Sequence, residues 1–238
     1  MTGDGRRGLI CLQGGGEFSS GCRPMDARVV RRVGDGVGSP HVVVTALAGA
    51  PGREAQTAEQ HGVEHYRSLG AHAVAAPDAR DDPDGALAAL AAADLVVLPG
   101  GSPARLLEAL QQTPVGAWLV AAVDRGVAVS GASAGAMVLC GWTVLPDQPG
   151  PHGIAVVRGL GLVDDVVVVP HWSGGGSRAD WLRAVAATVP EHTEVLGLPE
   201  ESGVFLLDGR LTAVGQAPTH LASSDRDLSV GDRYDLGA

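Results

Sequence analysis

The sequence predicts an α/β protein: a three-layer sandwich whose mostly parallel sheet carries helices on both faces and ends in an antiparallel C-terminal edge. Three observations predict it. Short β-branched runs, apolar on both faces, alternate with amphipathic helical patterns, as buried parallel strands joined by crossovers do. Towards the C-terminus the rhythm changes to strands with almost no helix between them. The length of 238 residues with 45% apolar content suffices for one large core, so a single domain over residues 1–238 is expected.

In chain order, the strand-like runs are residues 9–12, 42–47, 73–75, 95–98, 128–130 and 166–169. Between them the 3.6-residue apolar period predicts helices over 25–33, 53–69, 85–92, 103–110, 115–125 and 177–189. Strands then follow at 194–198, 203–207 and 211–214, the last two joined by Asp208-Gly209, a strong hairpin turn. Residues 126–146 carry no charge, but their Gly, Ser and Ala content is only weakly hydrophobic. A buried strand followed by a buried helix explains them better than a membrane span.

Charge and composition exclude several classes of function. With 17 basic and 27 acidic side chains the net charge is −10, which argues against binding to nucleic acid or to an anionic membrane. Every basic side chain is Arg, and neither Lys nor Asn occurs. That removes pyridoxal Schiff-base chemistry, Ser–Lys dyads, P-loop lysines and Cys–His–Asn proteases. Cys11, Cys22 and Cys140 are unpatterned, neither a disulfide framework nor a four-ligand zinc site. The N-terminal apolar stretch at 8–12 is too short for a signal-peptide core, so a cytoplasmic setting is expected.

The sharpest chemical signal is Ser130-Gly131-Ala132-Ser133-Ala134-Gly135-Ala136. It follows a strand, opens a helix and satisfies G-x-S-x-G around Ser133. A nucleophile on so sharp a turn needs small neighbours two residues away on each side, and the helix N-terminus aims free N–H groups at a developing oxyanion. The same pattern also fits a small-residue helix packed on a sheet. A serine needs a base, and His171 stands at the end of the 166–169 run, at the strand edge where open sheets gather their sites. His41, His61, His65, His72, His152, His192 and His220 lack that placement. A third group must orient the imidazole. Glu200 and Glu201 end another strand, and spacing does not choose between them or exclude Asp164 and Asp165.

The order Ser133, His171, carboxylate differs from the Ser–acid–His order of α/β-hydrolases. Rescuing that alternative would take His220 with an acid such as Glu194. Glycine loops at Gln13-Gly14-Gly15-Gly16-Glu17 and Pro99-Gly100-Gly101-Ser102 offer backbone N–H groups to complete an oxyanion hole beside Ala134. Neither has dinucleotide-loop spacing. His61-Gly62-Val63-Glu64-His65 matches an inverted zinc-peptidase motif, but it lies on a helix that merely connects two strands, and a solvated helix face is the better reading.

With these blocks in place the chain resembles the serine-peptidase family of dipeptidase E (α-aspartyl dipeptidase) and cyanophycinase, which has the class I glutamine-amidotransferase-like fold. The resemblance runs from about Leu9 to Gly215. It rests on Leu98-Pro99-Gly100-Gly101-Ser102, Ser133-Ala134-Gly135-Ala136, Pro170-His171-Trp172 and Gly197-Leu198-Pro199-Glu200. It implies Ser133 as nucleophile, His171 as general base, Glu200 as orienting acid, and the Gly101 and Ala134 amides as oxyanion hole. Ser102 stands where family members usually carry Asn. Val169-Pro170 replaces the Asp-Gln of cyanophycinase-like chains, which favours the dipeptidase branch. Specificity is expected from Ser102, Trp172 and the short segment after it, where Arg178 could hold a substrate carboxylate bidentately.

The expectation is therefore a serine peptidase acting on small peptides, N-terminal Asp dipeptides among them. It needs no cofactor or metal and works as a monomer or homodimer without nucleic-acid or membrane partners. Rival readings are a non-catalytic or ligand-sensing module on the same fold and a cyanophycinase-like peptidase. Glutamine amidotransfer would require a cysteine at the elbow, where Ser133 stands.

Overall fold

The structure, a computed structural model, describes residues 7–36, 38–147, 153–174 and 178–236. Its larger sheet contains eight strands. Five are parallel: β1 (Ile10–Gln13), β2 (His41–Val44), β3 (His72–Ala75), β4 (Leu95–Leu98) and β5 (Ala128–Ala132), in spatial order β3-β2-β4-β5-β1. Beyond β1 the sheet continues antiparallel through β10 (Ser202–Leu207), β11 (Arg210–Gly215) and β14 (Arg233–Asp235). The hairpin turn falls at Asp208-Gly209, both residues having positive φ as a tight turn of this hand requires.

Helices cover both faces. α1 (Arg23–Val33) and α2 (Arg53–Ser68) pack Met25, Val29, Val30 and Tyr66 against Leu9, Cys11, Val42, Val44, Leu95 and Val97. The alternate strand residues Ile10, Leu12, Val43, Val96, Leu98 and Val129 face the opposite layer, because successive strand side chains point to opposite sides. That layer holds α3 (Pro83–Leu90), α4 (Pro103–Gln112), α5 (Pro114–Asp124) and α6 (Ala134–Leu139). The Asp82 carboxylate caps α3 by accepting the Gly85 N–H at 2.9 Å.

A second sheet of six strands was not foreseen. It comprises β6 (Cys140–Pro146), β7 (Ile154–Arg158), β8 (Val163–Pro170), β9 (Glu194–Leu198), β12 (Thr219–Leu221) and β13 (Arg226–Leu228), with α7 (Ala179–Ala186) between β8 and β9. The 166–169 run is therefore not a strand of the first sheet. Both sides of β1 are already taken, by β5 and β10, so β8 pairs in parallel with β6 and β9 instead. The uncharged stretch also departs from expectation. Its helix ends after six residues, and the Trp142-Thr143-Val144 run, suited to a pleated surface, enters β6 with Cys140 as its first residue. Val144, Val166, Val167, Val168, Leu196 and Leu198 bring the second sheet into the apolar cluster of Ile10, Leu98, Leu106 and Met137. Among the described residues no helix is long and apolar enough to cross a membrane.

Candidate active site

The elbow is built where β5 turns into α6. Ser133 has φ 48° and ψ −110°, a conformation that a residue with a Cβ rarely adopts and that surrounding contacts must hold. Its N–H donates to the Gln13 carbonyl at 2.9 Å, and its carbonyl accepts the Met137 N–H at 3.0 Å to start the helix. The small neighbours have a packing reason. A Cβ on Gly131 would lie 2.5 Å from the Gly135 carbonyl carbon, and one on Gly135 would run into the Leu98 carbonyl.

The imidazole and the carboxylate beside the elbow come from the second sheet. β8 and β9 are parallel with Pro170 opposite Leu198, so the residues that follow them emerge side by side. The His171 N–H donates to the Gly14 carbonyl at 2.9 Å and the Trp172 N–H to the Leu198 carbonyl at 3.0 Å. His171 Nε2 lies 2.9 Å from Ser133 Oγ, and His171 Nδ1 lies 3.0 Å from Glu200 Oε1. A proton on Nδ1 donated to the carboxylate leaves Nε2 free to accept the serine hydroxyl. The Glu200 side chain is 64% exposed, so solvent screens its charge and its hydrogen bond orients the ring more than its field does.

This arrangement separates the carboxylates that spacing left open. Glu201 instead accepts the Ser19 hydroxyl at 2.7 Å, and Asp165 pairs with His192 at 3.2 Å. The α/β-hydrolase rescue does not assemble: His220 Nδ1 is 2.9 Å from Asp227, while Glu194 accepts the Ser223 and Tyr234 hydroxyls. His65 Nε2 meets the buried Asp26 at 2.9 Å, whereas His61 is exposed. Among the described residues no three His, Cys, Asp or Glu side chains gather to hold a metal ion. His41 and His72 approach each other, 2.7 Å between their Nδ1 atoms, and His152 lies outside the described residues.

The two glycine loops play different parts. The first presents carbonyls: Gly14 accepts from His171 and Gly15 from the Glu201 N–H at 2.9 Å. It therefore ties the ends of the second sheet to β1. The second loop borders the elbow, with a Cβ on Gly100 lying 3.2 Å from Ser133 Cβ. Ser102 caps α4, its Oγ accepting the Arg105 N–H at 3.3 Å. Trp172 stacks on His220 with centroids 4.9 Å apart. Arg178 stands at the N-cap of α7 and lies over the Trp181 ring, 4.9 Å from its centroid. Residues 175–177 of the same segment lie outside the described residues.

Sequence reasoning missed two features. Glu17 Oε1 accepts the Gly100 N–H at 2.8 Å, and its place just after the first glycine loop was the available signal. Beneath the loop, Asp26 is 1% exposed and gathers Gln13 Nε2 at 2.7 Å, His65 Nε2 and the Tyr66 hydroxyl at 3.3 Å. Nothing in the residue pattern marked that network. The thiols are poor nucleophiles. Burial, then the nearby Asp26 charge, pushes both Cys11 and Cys22 up to about 12, and burial pushes Cys140 far up as well.

A strained elbow serine joined to a strand-end imidazole is the arrangement by which serine hydrolases are recognised. Residues 45–214 match the family described as peptidase family S51. Peptidase E of Citrobacter koseri is 30% identical over 178 residues, which cover 69% of this chain and 72% of that protein. The crystal structure of a peptidase from an acI-B1 actinobacterium superposes with a TM-score of 0.82 at 21% identity, over 97% of this chain and 98% of that one. A candidate peptidase E from Listeria monocytogenes EGD-e gives 0.63 at 14% identity, over 89% and 100%. The chain belongs to peptidase family S51, a family of serine peptidases.

Proposed function

We propose that the protein hydrolyses small peptides through an acyl-enzyme, with Ser133, His171 and Glu200 as its triad. The observation that carries this reading is the unbroken hydrogen-bond path from Ser133 Oγ to His171 Nε2 at 2.9 Å and from His171 Nδ1 to Glu200 at 3.0 Å. Ser133 Oγ attacks the scissile carbonyl while His171 takes its proton. His171 returns that proton to the leaving amine, then draws one from the water that releases the acid. Glu200 holds the ring and stabilises the imidazolium. The N–H groups of Gly101 and Ala134 receive the oxyanion, a role supported by the close approach of the Gly100 loop to Ser133.

Dipeptides with N-terminal Asp are the first substrates to test. Arg178, held at the start of α7 over the Trp181 ring, is the group we assign to the substrate's side-chain carboxylate, with Trp172 and Ser102 as further specificity positions. Three buried free thiols fit a cytoplasmic setting. Ser133→Ala tests the triad: turnover should fall by roughly 10⁴–10⁶-fold. A variant that keeps its activity overturns the mechanism. A dipeptide panel with Asp, Glu and neutral first residues, run on wild type and Arg178→Ala, tests specificity. The variant should lose Asp cleavage and spare neutral substrates.

A further inference from the structure

His41 and His72 open β2 and β3, and the parallel register sets them side by side, Cα opposite Cα. Their backbones are fixed. The His41 N–H donates to Asp94 Oδ2 at 2.8 Å, the His41 carbonyl accepts the Asp94 N–H at 2.9 Å, and the His72 N–H donates to the Pro40 carbonyl at 2.9 Å. On that frame the imidazole centroids are 4.7 Å apart, the rings are 31° from parallel, and Nδ1 lies 2.7 Å from Nδ1. The pair sits at the N-terminal ends of parallel strands, whereas Ser133 follows the C-terminal end of β5. The two sites therefore occupy opposite edges of the sheet.

Two neutral imidazoles at this distance share one proton, one Nδ1 donating and the other accepting. His72 is exposed and His41 half-buried, so water competes for that bond and it adds little to the fold. As a pair of ligands the nitrogens do more. Two imidazoles on one tetrahedral zinc ion, each at about 2.0–2.1 Å, place their nitrogens about 3.3 Å apart. An outward turn of the exposed His72 ring supplies that small widening. Asp94 adds a negative charge beside the His41 backbone, and among the described residues it forms no ion pair. A cation on the pair gains from that charge. Among the described residues no third His, Cys, Asp or Glu completes a ligand set, so water fills the remaining positions. This selects divalent ions that accept imidazole, such as Zn²⁺, Ni²⁺ and Cu²⁺, over Mg²⁺ and Ca²⁺, which take oxygen ligands.

We propose that His41 and His72 bind a divalent transition-metal ion through their two Nδ1 atoms and so pin β3, the edge strand of the larger sheet, to β2. On binding, the shared proton passes to the bare Nε2 of its own ring, leaving two neutral imidazoles. The site is independent of Ser133 and of peptide hydrolysis.

Calorimetric titration of Zn²⁺ into wild type, His41→Gln and His72→Gln tests the ligands. One wild-type site should weaken by about 100-fold in either variant, because the second nitrogen no longer binds intramolecularly. Two measurements on wild type alone decide the matter even where a variant fails to fold. Paramagnetic Ni²⁺ should broaden the backbone NMR signals of His41 and His72 at lower concentration than those of His192 and His220. Zn²⁺ should slow amide exchange across β3, and Mg²⁺ should not. Equal Zn²⁺ affinity in all three proteins, or broadening that begins at another histidine, overturns the inference and leaves the pair a hydrogen bond alone. Binding that leaves β3 exchange unchanged overturns the pinning of the strand.

Discussion

The imidazole of His171 rests directly on the backbone of Gly15: a Cβ at that glycine would overlap His171 Cε1 and lie 2.6 Å from Nδ1. Gly15 also has φ 135°, a conformation essentially reserved for glycine. Gly15→Ala should therefore push the ring away from Ser133 and lower kcat by at least about 100-fold, as misplacement of about 1 Å does. Circular dichroism should stay that of the wild type, while steady-state kinetics record the loss.

The elbow stores backbone strain at Ser133. Ser133→Ala keeps the φ of 48° with a Cβ in place, whereas Ser133→Gly relieves it. Both variants should be inactive, with the glycine form about 1 kcal/mol more stable than the alanine form. Urea unfolding of the pair measures the difference. Equal midpoints would mean that the backbone there is unstrained.

Asp26 holds three buried donors or ring nitrogens, from Gln13, His65 and Tyr66. Asp26→Ala leaves them facing an apolar void and should cost about 3 kcal/mol in urea unfolding. Gln13 also donates to Ser130 Oγ at 3.1 Å, and the Gln13 carbonyl accepts the Ser133 N–H. Loosening this network should therefore lower kcat as well as the unfolding midpoint.

Alkaline pH should weaken the fold. Cys11 and Cys22 stay protonated when folded, their pKa values pushed from 9.0 up to about 12, while thiols of the unfolded chain ionise. The unfolded state then binds fewer protons, so stability is full below pH 9 and is lost as pH rises towards 12, by about 1.4 kcal/mol per unit for each thiol. Cys11→Ala should flatten the slope of ΔG against pH. Ellman's reagent at pH 8 should find no reactive thiol before denaturant is added.

Much of this architecture is legible in residue order because it is local. The apolar runs at Val42–Val44 and Leu95–Leu98 send alternate side chains into opposite layers as the pleat demands, and Asp208-Gly209 carries its own turn. Gly131, Ser133 and Gly135 announce the elbow because sterics there admit little else. What escaped depends on partners far along the chain. Whether Val166–Val169 joins the first sheet is decided by β10 taking the free side of β1. Glu200 and Glu201 are neighbours of identical chemistry. Only the β8–β9 register and the Ser19 hydroxyl send one to His171 and the other away from it. Glu17 and Asp26 act on groups 83 and 39 residues distant, a relationship that no local pattern encodes.

Ser133 grows from one sheet and the imidazole beside it from another, sewn together by the Gly14 and Gly15 carbonyls. The two side chains thus belong to separately woven fabrics, and on the proposed mechanism a shift along their seam should uncouple them without unravelling either. Hydrolysis would in that sense be a gauge of alignment: damage at the Gly14 or Gly15 contacts should silence the enzyme while most of its secondary structure still stands.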